Sequence, residues 1–218
     1  MNRNLEAILI VLLLVSSIAL SVAAYIFGVF RFDLEIAFRM FGNDNPVVIA
    51  IMTVVSFLGD GWMPVILVLL AAGVCAVLKK WLEAVFVVAT LSSGILAGVL
   101  KALVGRPRPP GFLLAPSDIF QSFNQYAYPS GHVLFFVVFF GFLSFLAWMH
   151  VTGRMRGIII AGCSCLIVLI GPSRIYLGEH WASDVIGSYL IGTFWLIILI
   201  LLYLMIRHRI ESAGQPPR

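Results

Sequence analysis

Six apolar runs, at residues 5–30, 62–78, 81–104, 133–149, 157–173 and 184–206, constrain this 218-residue chain more than any other feature. A helix needs ~20 apolar residues to cross the hydrocarbon core of a bilayer, and most of these runs approach or exceed that. With no water to receive them, backbone N–H and C=O groups in the core must pair with each other, which leaves helices or closed barrels. The runs are continuous and do not alternate as barrel strands do, so they read as helices. The expected fold is all-α, a polytopic bundle of six transmembrane helices. Composition agrees, with 61% hydrophobic and 11% charged residues and a mean hydropathy of +1.07. Residues 47–58 are apolar too, but a helix of that length reaches only about 18 Å and reads as a short interfacial or re-entrant element.

Charge placement orients the bundle, because short cytoplasmic loops collect Lys and Arg. With an inside N-terminus, Arg3, Lys79, Lys80, Arg154, Arg156, Arg207 and Arg209 fall inside, and Asp33, Glu35, Asp44, Asp60 and Asp118 fall outside. Both termini are then cytoplasmic. The formal charge of +4 is mostly this bias, and no basic patch outside it points to nucleic acid. The first run, preceded by Arg3 and containing Ser21-Val22-Ala23-Ala24, has some look of a secretory signal. Its continuation to Phe30 favours a retained helix. Cys75, Cys163 and Cys165 lie inside predicted spans and give no disulfide framework. Gly94 and Gly98 form a small-xxx-small pair suited to close helix packing. Residues 1–218 read as one domain, with residues 207–218 as a short cytoplasmic tail that ends in disorder.

Against that apolar background stand three clusters that a membrane protein should avoid unless they serve a purpose. They are Lys101 with Arg108-Pro109, then Pro129-Ser130-Gly131-His132, then Ser173-Arg174 with His180 and Asp184. In the six-span topology Lys101, His132, Arg174 and Asp184 stand at span ends that share the external face. A phosphoryl group spreads its transition-state charge over equatorial oxygens, so its catalysis rests on positioned cations and N–H donors. Arg108 and Arg174 supply planar forks and Lys101 a compact charge. Ser130 and the N–H groups around Gly131 precede a helix, where an anion is favoured. Of the two histidines, one attacks phosphorus or activates water and the other protonates the leaving alkoxide. Asp184 follows His180 by four residues, on the same face of a helical turn, and suits the orienting carboxylate of a nucleophilic imidazole. His180 is thus the expected nucleophile, Asp184 its partner and His132 the general acid.

These clusters, in this order and spacing, resemble the three-part signature of the type 2 phosphatidic acid phosphatase superfamily. The signature occupies a motif core at residues 101–184, and the six-span arrangement extends the likeness over most of the chain. The resemblance implies a metal-independent phosphatase with no cofactor, working through a phosphohistidine on His180. Lys101, Arg108, Ser130, Gly131 and Arg174 would bind phosphate, His132 would protonate the leaving group and Asp184 would support His180. It further implies a phosphorylated lipid as substrate, of the phosphatidic acid, phosphatidylglycerol phosphate or polyprenyl diphosphate class. The setting would be a bacterial inner membrane with the site facing outward.

Two other functions share these residues: a lipid phosphotransferase that passes the phosphoryl group to an acceptor lipid, and a transporter whose charges line a translocation site. Individually the residues have plainer explanations as well. Lys101 and Arg106 suit snorkelling or loop anchoring, Asp60 between two glycines suits a turn, and Glu179 suits a solvated loop. His150 and His208 read as ordinary interface residues. The loop holding Phe112, Leu113, Leu114, Ile119, Phe120, Phe123, Tyr126 and Tyr128 fits either interfacial packing or guidance of a lipid chain. The oligomeric state is not legible.

Overall fold

In the computed structural model, residues 3–40, 45–109 and 126–213 are described, and all their regular structure is helical. The helices are α1 (Arg3–Phe27), α2 (Arg31–Met40), α3 (Pro46–Phe57), α4 (Met63–Val77), α5 (Trp81–Ala89), α6 (Ser92–Val104), α7 (Gly131–His150), α8 (Gly153–Tyr176) and α9 (Ala182–Ala213). Five segments are long and apolar enough to cross a membrane: α1, α5 with α6, α7, α8 and α9. The expected second span is α4, whose 15 residues reach about 22 Å. It still joins the two ends of the bundle. Asp60, just before α4, touches His132 at the start of α7, while Glu83, just after the turn at Lys79-Lys80, touches His150 at the end of α7. The interfacial helix expected at 47–58 is α3, and α2 was not foreseen. The aromatic loop falls mostly on residues 110–125, outside the described residues, as does the chain end from 214.

α7 is the axis of the bundle. It is apolar on every side, and its phenylalanines pack against protein on most of its length: Phe136, Phe139 and Phe142 are almost fully buried. Lipid tails are as apolar as these rings, so association is driven by close packing and not by escape from water. The rings accordingly interlock, with Phe135 stacked on Phe139 at 5.1 Å and Phe136 edge-on to Phe140 at 5.0 Å. α8 and α9 flank α7 on one side and α6 on another, while α1 lies along α9 and α3 along α8.

The single helix expected over 81–104 is broken at Thr90-Leu91. Hydroxyls satisfy the carbonyls at the break: Thr90 Oγ1 donates to Val87 O at 2.6 Å, Ser92 Oγ to Ala89 O at 2.6 Å and Ser93 Oγ to Thr90 O at 2.7 Å. A break at membrane depth is tolerable when side chains re-pair the backbone in this way. At the other end, Gly105 closes α6 in the left-handed conformation (φ 61°) that glycine adopts without strain, and turns the chain into Arg106.

His150 is more than an interface residue. Its Nε2 lies 3.0 Å from Glu83, which also accepts a 2.8 Å hydrogen bond from the Tyr203 hydroxyl, so α5, α7 and α9 are tied together at the end remote from Lys101.

Because α7 is largely packed against protein and α6 leaves side chains such as Ile95 exposed at the mouth of the cavity, truncations on the two helices separate. Phe136→Ala, at a fully buried ring, is expected to cost about 3–5 kcal/mol. Ile95→Ala, at a side chain 73% exposed, should stay within about 0.5 kcal/mol. Thermal unfolding in one detergent, compared for both variants, checks this.

Candidate active site

The three clusters meet. Lys101 in the last turn of α6, Arg108 after it, Gly131 and His132 opening α7, and His180 before α9 all border one cavity of ≈ 760 Å³. The cavity extends down α6 past Gly98, Gly94 and Leu91. Those ten residues correspond to a depth of about 15 Å. Gly94 and Gly98 thus line the cavity, and among the described residues no neighbour lies within 4 Å of where their Cβ atoms would stand, so the close helix packing expected of them is not seen there. Ser130, Arg174 and Asp184 stand outside the wall of the cavity among its described lining.

Each of these three has a distinct job. The Ser130 N–H donates to Ser188 Oγ at 2.7 Å, and Ser188 Oγ in turn donates to Asp184 O at 2.6 Å, which locks the start of α7 onto α9. That N–H is thus occupied, while the buried Ser130 hydroxyl has no hydrogen-bond partner among the described residues. Arg174 is brought to the site by the end of α8, two residues after Pro172. Its guanidinium donates to Ser56 of α3, pairs with Glu179 and lies 3.8 Å from Asp60. Asp184 is fully buried behind His180, with Oδ2 3.7 Å from His180 Nδ1. The same oxygen accepts the Trp181 N–H at 2.8 Å. The expected pairing is therefore one of adjacency, longer than a hydrogen bond.

Arg106 is the residue that sequence reading undervalued. It is no lipid anchor but is 1% exposed, and its fork is fully used. One end pairs with Asp184 and donates to Ser183 Oγ at 2.7 Å, the other pairs with Asp33 at 2.6 Å, and Nε donates to the carbonyl of Gly28. Asp33, on α2, accepts in addition from Ser183 N at 2.8 Å and Ser183 Oγ at 2.7 Å. The Phe30 ring covers the guanidinium at 5.4 Å, within cation–π range. The signal available in the sequence was an unplaced external carboxylate, Asp33, and a second arginine beside the first motif; only the fold pairs them.

Asp60 keeps its expected place in the turn before α4, where its N–H donates to Phe57 O at 3.1 Å, but its side chain takes a further role, and Glu179 leaves its expected role as a solvated loop carboxylate. Asp60 Oδ1 is 2.7 Å from His132 Nε2. Glu179 Oε2 bridges the two guanidiniums, against Arg174 and 3.5 Å from Arg108. An anion therefore already occupies the gap between the arginines.

The charges are consistent with attack by a neutral imidazole. Burial holds His180 well below its ordinary pKa, and Arg108, Arg174 and Lys101 push the same way. Burial also lowers Arg108, to about 10, with Asp184 opposing, so it stays a cation at neutral pH. Partial burial pushes the Asp60 carboxyl up, but the hydrogen bond and charge of His132 and the Arg174 charge outweigh it and leave it below the usual carboxylate range.

The sequence pattern of the PAP2 superfamily matches residues 81–208, which is more than half of the chain and contains all three clusters. The chain belongs to the PAP2 superfamily. An undecaprenyl-diphosphatase from Sulfolobus acidocaldarius is 31% identical to this PAP2 protein over 162 residues, 70% of the chain and 65% of that relative. A lipid A 1-phosphatase from Rhizobium etli is 30% identical over 132 residues, covering 59% of the chain and 53% of that relative. The chain thus aligns with less than two-thirds of the length of either. Phosphatidylglycerophosphatase B of Bacillus subtilis is 26% identical over 145 residues, 65% of the chain and 68% of that relative. The fold matches the crystal structure of a transmembrane PAP2-type phosphatidylglycerolphosphate phosphatase from Bacillus subtilis, with a TM-score of 0.74 over 96% of this chain and 98% of that one at 21% identity. The family match begins at α5, so Asp33, Ser56 and Asp60 belong to the part of this PAP2 protein that lies outside it.

Removing Arg106 leaves two buried carboxylates facing each other without a counter-charge. Arg106→Ala is expected to destabilise the protein by about 3–5 kcal/mol. Arg106→Lys keeps the charge but cannot reach Asp33 and Asp184 with one planar fork, and should fall between the two. Detergent-solubilised unfolding temperatures of the three proteins test the order.

Proposed function

We propose that this protein is an integral-membrane phosphatase of lipid phosphates or diphosphates that works through a phosphohistidine on His180. The observation that carries the reading is the single cavity that joins Lys101, Arg108, His132 and His180 at one end to an apolar trough along α6 at the other. A phosphate headgroup fits the charged end, where it displaces Glu179 from between Arg108 and Arg174. A prenyl or acyl chain fits the trough past Gly98 and Gly94. Phosphatidic acid, phosphatidylglycerol phosphate and polyprenyl diphosphates have this shape, and the relatives named for undecaprenyl diphosphate, lipid A and phosphatidylglycerophosphate act within the same chemical class.

In the proposed reaction the neutral His180 attacks phosphorus. The bond from phosphorus to the leaving oxygen breaks, its electron pair goes to that oxygen, and the oxygen takes a proton from His132. Water then cleaves the P–N bond, which frees His180 and releases phosphate. Lys101, Arg108 and Arg174, with the N–H groups at Gly131, hold the equatorial oxygens throughout, and Asp184 stabilises the charge that develops on His180. Ser130 supports this geometry through Ser188. The cations of the chain supply the positive charge, so neither metal nor cofactor has a part in this scheme.

The motif core at 101–184 and the surrounding helices act as one unit in this reading, with α4 as the sixth crossing. Both termini are cytoplasmic and the site faces the exterior of a bacterial inner membrane, since Lys79, Lys80, Arg154, Arg156, Arg207 and Arg209 gather at the opposite end. The partners are its lipid substrate and the surrounding lipids.

The test is phosphate release in EDTA from vesicles containing phosphatidic acid, phosphatidylglycerol phosphate or a polyprenyl diphosphate. Native protein should release phosphate from at least one, and folded His180→Ala should lose the activity by several orders of magnitude. Turnover by the variant, or activity that needs an added divalent ion, would sink the mechanism. The trough is tested separately by Gly98→Phe, which should slow a long-chain lipid phosphate about tenfold or more beyond its effect on p-nitrophenyl phosphate, because the ring fills space that only the chain needs.

A further inference from the structure

We infer that Asp60, on the loop between α3 and α4, is the positioning residue of the acid step, fixing the His132 ring that protonates the leaving group. The inference rests on the phosphatase reading above, and four observations support it. The Asp60 carboxylate is 2.7 Å from His132 Nε2. Asp60 and His132 line the same cavity as His180. The loop is shaped around the ring: a Cβ on Gly59 would collide with the His132 imidazole, so only glycine lets the backbone lie against it. The same carboxylate stands 3.8 Å from Arg174 Nη1, the nitrogen that donates to Ser56, while Glu179 pairs with Nη2.

The electrostatic need is specific. A proton on His132 adds a positive charge to a site that already contains Lys101, Arg108 and Arg174. The negative group in contact with the imidazole is Asp60; Asp184 is engaged with Arg106 and Trp181, and Glu179 with the two guanidiniums. A carboxylate at this distance offsets the added charge and fixes the ring by a charge-assisted hydrogen bond. As the P–O bond breaks and its electron pair passes to the leaving oxygen, the imidazolium gives that oxygen a proton and becomes neutral. The site thus contains two imidazole–carboxylate pairs with opposite duties, His180 with Asp184 for attack and His132 with Asp60 for departure.

A lipid alkoxide needs the proton and p-nitrophenolate does not, which separates the acid step from everything else. The experiment measures the first turnover of dioctanoyl phosphatidic acid and of p-nitrophenyl phosphate by rapid mixing, before release of phosphate from the enzyme limits the rate. Native protein, His132→Ala, Asp60→Asn and Asp60→Glu are compared at matched unfolding temperature. Asp60→Asn should lose on the order of 10²-fold on the lipid and far less on the aryl ester, with Asp60→Glu recovering part of the loss. Equal losses on both substrates, or none on the lipid, would overturn the role of Asp60. If His132→Ala itself fails to discriminate between the substrates, the assignment of His132 as acid fails instead, so the two failures are distinguishable.

Discussion

The arrangement of this protein depends on one buried guanidinium. Arg106 has no solvent contact and satisfies its fork with Asp33, Ser183, Asp184 and the carbonyl of Gly28. Burying three charges is costly, and pairing alone often only balances that cost. What the network contributes is position: it fastens the end of α1, the short α2, the segment after α6 and the start of α9 to a common point. Asp184 is therefore held from behind before it meets His180. In lipid, where apolar faces have no reason to prefer each other over acyl chains, such polar contacts select which helix ends meet.

From that anchor the site is built outward in layers of alternating charge. Asp184 backs His180, Lys101 and Arg108 border the cavity with Arg174 behind its wall, and Glu179 and Asp60 hold the guanidiniums and His132 in place. Arg108 and Arg174 each have a carboxylate near them, which lets their charges persist in a poorly solvated place. In the proposed reaction, a substrate phosphate would exchange with one of those anions and so enter a site whose guanidiniums are already held in place.

The end of the bundle remote from the site uses the same device more modestly, with Glu83 shared between His150 and Tyr203. Between the two ends the bundle is aromatic and close-packed around α7, and its weak point is the break at Thr90-Leu91, repaired by hydroxyls. That break borders the cavity at Leu91 and Ser93, so the irregularity of the helix and the depth of the trough coincide.

Much of this was legible in the residues themselves. Continuous apolar runs admit only helices in a bilayer, and three clusters of charge at their ends had to converge once the runs were threaded alternately, which placed Lys101, Arg108, His132, Arg174, His180 and Asp184 at one end before any coordinates. What the sequence left open concerns groups whose meaning lies in a distant partner. Arg106 and Asp33 are 73 residues apart, and Asp60 and His132 are 72 apart, so no local period or motif connects them. Gly94 and Gly98 spell a packing motif, yet they line an open trough, because spacing along a helix states which residues share a face and not whether another helix covers it. The sequence by itself determined the long apolar helices, their order and the chemical inventory, since those follow from hydropathy and residue type, but neither the short α2 nor the break at Thr90-Leu91. The tertiary structure alone decided which carboxylate answers which cation, because a charge in a low-dielectric bundle takes its role from whatever lies within a few ångströms.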